Sequence, residues 1–350
     1  MNNLFICHSQ AQLLLAVSLT QGRFAQDENH LILFVDFNIK TELKEQLKAA
    51  FYRVLYRTGT YPAVNKSWKE KLKRYPSDLK TIKHFMDQTY HRVFEVCDDC
   101  IPELFALRYA YIQNNRTEYI WLEDGSYPYF RNTIDVSGFS SNPAMRLIRK
   151  VFLKYLCGLG RFYDFKGTYM GANVMLKQAY LTFPGKQRKE YMLKDIVGIT
   201  DEEFKNGLSF MFPYKVENEL LSGSVFIVMD KLDVYKDLSQ IEYTMVQVIE
   251  IFKKRGKMIY YKYHPREESA LKALTNCKEI NRFTGVENYY SASLNRELII
   301  IGIKSTGLQN AKKLGFHVIS IAPIVHEDDE NVLNFYRKIQ IQVITSLTEL

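Results

Sequence analysis

Short, wholly apolar runs alternate with longer stretches of helical period along this chain, and the pattern appears twice. An apolar run without polar alternation needs cover on both faces, which a parallel sheet wrapped by helices supplies. In the first series Leu4-Phe5-Ile6-Cys7 reads as a strand, His8-Ser9-Gln10 breaks it, and the leucine-rich Ala11 to Leu19 reads as a helix. Leu31 to Val35 is a second strand, and Thr41 to Tyr56 a helix in which Leu43, Leu47, Phe51, Val54 and Leu55 recur at helical spacing. Arg92 to Val96, Ile101 to Ile112 and Glu118 to Leu122 continue as strand, helix and strand.

Residues 135 to 222 interrupt the alternation with Gly158, Gly160, Gly167, Gly171 and scattered aromatics, and read as helices and loops of a bridge. The second series begins at Ser224, with strands at Val225 to Met229, Lys257 to Tyr263, Glu297 to Ile303, Val318 to Ile321 and Ile339 to Ile344. Helices are expected at Leu238 to Lys253 and Glu267 to Leu274. The predicted architecture is α/β and GT-B-like, with two Rossmann-like domains facing across a cleft. Residues 1–190 form an N-terminal acceptor-side domain with bridge helices, 191–223 a linker, and 224–350 a nucleotide-sugar-binding domain.

Composition agrees. The chain has 350 residues, enough for two domains at roughly 150 each, and 47% apolar residues fill two cores. A net charge of +8 favours anionic partners. The five cysteines, at positions 7, 97, 100, 157 and 277, suit a reducing cytoplasm better than a disulfide framework. Cys97 and Cys100 form a CxxC with two aspartates between, and a single pair is a weak zinc or redox signal. Ala11 to Leu19 is too short to cross a bilayer and has no signal-peptide flanks, so a cytoplasmic protein is expected.

Ligands of open α/β sheets bind beyond the carboxyl ends of the strands, and three small motifs fall there. Glu123-Asp124-Gly125-Ser126 follows Tyr119 to Leu122, and its paired carboxylates offer a general base or simply a solvated Asp-Gly turn. Lys262-Tyr263-His264-Pro265 closes a strand, with Pro265 holding His264 extended and Lys262 sharing its face. Lys304-Ser305-Thr306-Gly307 stands between a strand and a helix, either as a phosphate site or as an ordinary serine N-cap. It is no Walker loop, because the glycine-rich pattern is missing.

In this order the motifs resemble the D/E-D/E-G, H-P and S-S/T motifs of bacterial sialyltransferases, the lipooligosaccharide and polysialyltransferase group. Cys7-His8-Ser9-Gln10-Ala11-Gln12 is similar to the first-strand turn of the lipooligosaccharide enzymes, with Gln10 where a proline is usual. The resemblance implies an inverting, metal-independent glycosyltransferase moving sialic acid from CMP-sialic acid to a galactoside or sialoside of a bacterial surface glycan. It implies Glu123 as base, with Asp124 the alternative, His264 as partner of the leaving phosphate, and Glu287 on the ribose. Lys262, Pro265, Lys304, Ser305 and Thr306 would complete the nucleotide site, with Gly125, Ser9 and Gln12 in support. No cofactor or metal is expected, and the sequence contains no Asp-x-Asp triplet.

Expected partners are a nucleotide-sugar donor and a glycan acceptor that a lipid could carry. Further candidates are the inner face of the cell membrane, through the basic stretch Arg146 to Arg161, and a second copy in a homodimer. Nucleic acid is not expected, since Lys66 to Lys83 lacks an aromatic ladder. Two alternatives stand beside this reading: a transferase using another CMP- or UDP-activated sugar, and a non-catalytic module of glycan assembly.

Overall fold

A computed structural model describes residues 1–37, 39, 41–59, 68–96, 100–130, 147, 151–156, 158–162, 170–171, 173–213, 220–264 and 267–350. Within it the chain forms two compact units, Met1–Gly207 and Leu208–Leu350.

The first unit is built on β1 (Asn2–Cys7), β2 (Glu28–Val35), β3 (Arg53–Thr58), β4 (Arg92–Glu95), β5 (Glu118–Leu122), β6 (Gln178–Leu181) and β7 (Asp195–Gly198). They lie in the order β3-β2-β1-β4-β5-β6-β7, every pair parallel. Parallel neighbours need crossovers, made here by helices that include α1 (Gln10–Thr20), α2 (Thr41–Ala50), α3 (Trp68–Phe85) and α4 (Ile101–Gln113). The chain steps outward from β1 to β3 and then returns to the other side of β1 with β4. The loops after β1 and β4 therefore diverge, which opens a switch point at the carboxyl end of the sheet. β1 is its core: Leu4, Phe5, Ile6 and Cys7 are buried, and Phe5 stacks on Phe94 with centroids 4.4 Å apart.

The second unit repeats the plan with β8 (Val225–Val228), β9 (Ile259–Lys262), β10 (Lys278–Glu279), β11 (Ile299–Gly302), β12 (His317–Ser320) and β13 (Gln342–Val343). Their order is β10-β9-β8-β11-β12-β13, again all parallel, so the switch point lies between β8 and β11. Helix α5 (Asp201–Met211) begins in the first unit and ends in the second, and α6 (Leu238–Lys254), α7 (Val286–Ser291), α8 (Thr306–Lys313) and α9 (Glu330–Lys338) complete the series. The α/β, GT-B-like fold class, two Rossmann-like units, is thus what the chain adopts.

Several expected elements differ. The helix expected to Tyr56 stops at Ala50, and Val54 and Leu55 lie on β3 opposite Leu31 and Ile32 of β2. Pairing along a buried strand outweighs a helical spacing that the sequence shows equally well. Phe51, buried between helix and strand, packs edge-on against Phe5. Residues 191–223, expected as a linker, contribute β7 and α5. Arg23 holds the start of α5 through Glu203, donating from Nε to Oε1 and from Nη2 to Oε2, both at 2.6 Å. Gly207 lets α5 approach α1, since a Cβ there would meet Ser18 Oγ at 2.2 Å. The helix expected from Glu267 to Leu274 is reduced to a short 3-10 turn at Lys272–Asn276, because the Glu267 carboxylate accepts from the amides of Leu232 and Ser269 and ties the segment down as a loop.

Candidate functional sites

At the carboxyl end of the first sheet, Ser9 is extended and caps α1, its Oγ accepting from Gln12 N at 3.3 Å. Gln12 Oε1 accepts in return from the amides of His8 (2.6 Å) and Ser9 (3.0 Å). Its Nε2 then donates to Asp124 Oδ1 at 2.9 Å. The cap of α1 thereby fixes the carboxylate after β5, and Ser9, Gln12 and Asp124 belong to one network.

Glu123 points elsewhere. Its Oε2 accepts from Thr182 N at 2.7 Å and from the Tyr129 hydroxyl, its Oε1 accepts from the Thr182 hydroxyl, and the side chain is buried. These bonds tie the loop after β5 to the end of β6. Glu123 is buried by these contacts, whereas Asp124 beside it is only partly buried. Burial raises the Asp124 carboxyl above the usual carboxylate range, against the opposing pull of the Gln12 amide and the His8 charge. Gly125 turns the chain at φ 54°, a left-handed conformation that favours glycine.

His8, Asp36 and Glu103, which sequence reasoning missed, lie beside this network. His8 is fully buried, with Nδ1 3.2 Å from Asp36 Oδ2 and Nε2 on Glu103. Burial opposes its charge, yet the two carboxylates hold the imidazole well above its usual range. Cys97 of the CxxC lies outside the described residues, whereas Cys100 is the N-cap residue of α4. Most of Arg146 to Arg161 is also outside the described residues; within it Leu147, Val151, Phe152 and Tyr155 are exposed. Among the described residues, no helix is long and apolar enough to cross a membrane.

In the second unit Ser305 caps α8, its Oγ accepting from Gly307 N at 3.2 Å, and Thr306 opens the helix. β11 runs close to β8, where a Cβ on Gly302 would meet Val228 O at 2.8 Å. Asp230, two residues beyond β8, accepts from Lys304 N at 3.4 Å and from the Tyr235 hydroxyl, and burial raises its carboxyl above the usual range. It occupies a strand-end position of the kind that singled out the other motifs, and sequence reasoning passed over it. Lys304 Nζ donates to Glu327 Oε2 at 2.6 Å, so its charge is engaged within the protein.

Lys262 is buried, with Nζ donating to the carbonyls of Arg282 (3.0 Å) and Tyr263 (3.2 Å). Burial lowers its pKa to about 8, against the opposing charge of Glu287. Glu287, in the first turn of α7, accepts from Asn310 Nδ2 of α8 at 3.1 Å. Lys262, Glu287, Lys304, Ser305 and Thr306 thus share the carboxyl end of the second sheet. His264 is half-buried two residues beyond β9, and Pro265 lies outside the described residues.

The chain is similar in fold to UDP-GlcNAc 2-epimerases of known structure. A UDP-GlcNAc 2-epimerase from Neisseria meningitidis, bound to UDP-GlcNAc, superposes with a TM-score of 0.52 at 13% identity, over 95% of this chain and 85% of the other. One from Methanocaldococcus jannaschii gives 0.52 at 12% identity over 96% and 92%. A putative one from Listeria monocytogenes gives 0.51 at 10% over 98% and 91%. At such identities the likeness is one of fold. No family model matches the chain, and no curated protein matches it either.

These findings correct the resemblance to sialyltransferases, and with it the reading as a CMP-sialic acid-dependent transferase of lipooligosaccharide or capsule. The chain shares its fold with UDP-GlcNAc 2-epimerases, and no sequence family supports the motif match. The reason is physical. A tight Gly turn, an extended strand tip and a Ser N-cap at strand ends are what a doubly wound sheet requires of many unrelated chains.

Proposed function

We propose that this chain is an enzyme acting on a UDP-linked sugar. The nucleotide is held at the carboxyl ends of β9 and β11 in the second unit; within the first unit, Asp124 is the candidate acid or base. The observation that carries this reading is the switch point between β8 and β11, which opens onto the Ser305 cap of α8. The Ser305 and Thr306 hydroxyls and the dipole of α8 there suit a phosphate, and the Glu287 carboxylate suits the donor hydroxyls of a ribose. The fold shared with epimerases, one of them bound to UDP-GlcNAc, supports UDP over CMP.

A panel of UDP-, CMP-, GDP- and ADP-sugars, assayed for release of nucleotide and for change in the sugar, tests the proposal. Turnover is expected with a UDP-sugar. UDP at about a hundred times its dissociation constant should add roughly 2.7 kcal/mol of stability and raise the melting temperature by a few degrees. Turnover confined to a CMP-sugar, or equal stabilisation by UDP, CMP, GDP and ADP, would refute it.

A further inference from the structure

We propose that His8, Cys100 and Glu103 form a binding site for a zinc-class divalent cation at the switch point of the first sheet. One ligand atom from each lies within 4.8 Å of those of the other two, a spacing that a small side-chain adjustment closes around one ion. They come from the two strands that flank the switch point. His8 follows β1 directly, whereas Cys100 and Glu103 stand at the start of α4, the helix that follows β4.

The set is chemically mixed, with imidazole nitrogen, thiolate sulfur and carboxylate oxygen. That combination suits zinc and its borderline neighbours better than magnesium or calcium, which take oxygen ligands. Asp36 Oδ2 lies 3.2 Å from His8 Nδ1, so Nδ1–H donates to the carboxylate and Nε2 is turned toward Glu103 and Cys100. A carboxylate behind a ligating histidine is the usual way proteins fix its tautomer. Charge also fits: bound as thiolate and carboxylate, Cys100 and Glu103 would balance a dication. His8 and Glu103 are closed off, whereas Cys100 is partly exposed, so the ion would enter, and keep a fourth position for water or a ligand oxygen, on the Cys100 side. The sequence offered no such site because its ligands are scattered over almost a hundred positions. The site is independent of the nucleotide reading.

The test uses the full chain, stripped with a chelator and titrated with Zn²⁺ against a chromophoric competitor, and separately with Co²⁺. About one equivalent should bind. The Co²⁺ form should show a near-ultraviolet thiolate charge-transfer band that is lost in Cys100→Ser and kept in Cys277→Ser. Asp36→Asn should weaken Zn²⁺ binding roughly 10- to 100-fold. Circular dichroism of each variant separates loss of metal from loss of fold, and Cys100→Ser, at a partly exposed position, is the substitution best tolerated. Absence of stoichiometric metal, or a Co²⁺ spectrum unchanged in folded Cys100→Ser, would leave a plain His8–Asp36–Glu103 ion triad and overturn the proposal.

Discussion

Asp124→Asn should lower turnover of the nucleotide sugar by roughly 100-fold or more, the range general acid–base catalysis supplies. The amide keeps the size of the carboxyl and can still accept from Gln12 Nε2, so the network that starts at Ser9 survives and the protein stays folded. What is lost is a proton acceptor. Because burial holds the Asp124 carboxyl above the usual carboxylate range, its ionised form appears at a higher pH than for an exposed aspartate. Acting as base, it should give the wild-type rate a limb that rises with pH above the ordinary carboxylate range, and the variant should lack that limb. A variant with near-normal turnover and an unchanged profile would move the chemistry elsewhere.

Glu123→Ala should have a large effect of another kind, on stability. The substitution strands three buried donors: the Thr182 amide, the Thr182 hydroxyl and the Tyr129 hydroxyl. Each unsatisfied donor costs about 1–3 kcal/mol, so a loss of about 3 kcal/mol or more is expected in denaturant unfolding. Water reaching the emptied space would lessen it, so Glu123→Gln, which keeps an acceptor but sets an amide NH₂ against donors, is the companion variant. A Glu123→Ala protein as stable as wild type would show that the tie between the β5 loop and β6 is dispensable.

The contrast between these neighbouring carboxylates shows what the sequence could and could not reveal. β1, β2, β5, β8, β9 and β11 were legible because each is a continuous apolar run bounded by a breaker. β3 was absorbed into a helix because Val54 and Leu55 satisfy both periods, and only pairing with β2 decides between them. β6 and β7 fall in a stretch whose glycines and aromatics leave no clean period. That omission reached the site. A partner that buries Glu123 is Thr182, just past β6, so without β6 nothing in the sequence spoke against Glu123 as the base, with Asp124 the alternative.

The strand-end rule gathered Lys262 and Ser305 toward one end of one sheet without any pairing information. It did not show that Lys304 is engaged by Glu327, which depends on a loop beyond β12. The His8 group draws on the ends of three segments, and no local pattern joins them. The same rule misled on family, because motifs that short describe strand ends in general.

Hydrogen exchange on the full chain, with and without UDP, tests the nucleotide assignment most directly. UDP should slow exchange at Lys262 to His264 and from Gly285 to Asn310, the segments that carry Glu287, the Ser305 cap and the start of α8. CMP at the same concentration should protect them less. Protection confined to residues before Leu208, or stronger protection by CMP than by UDP, would contradict a UDP-sugar enzyme whose second unit holds the nucleotide.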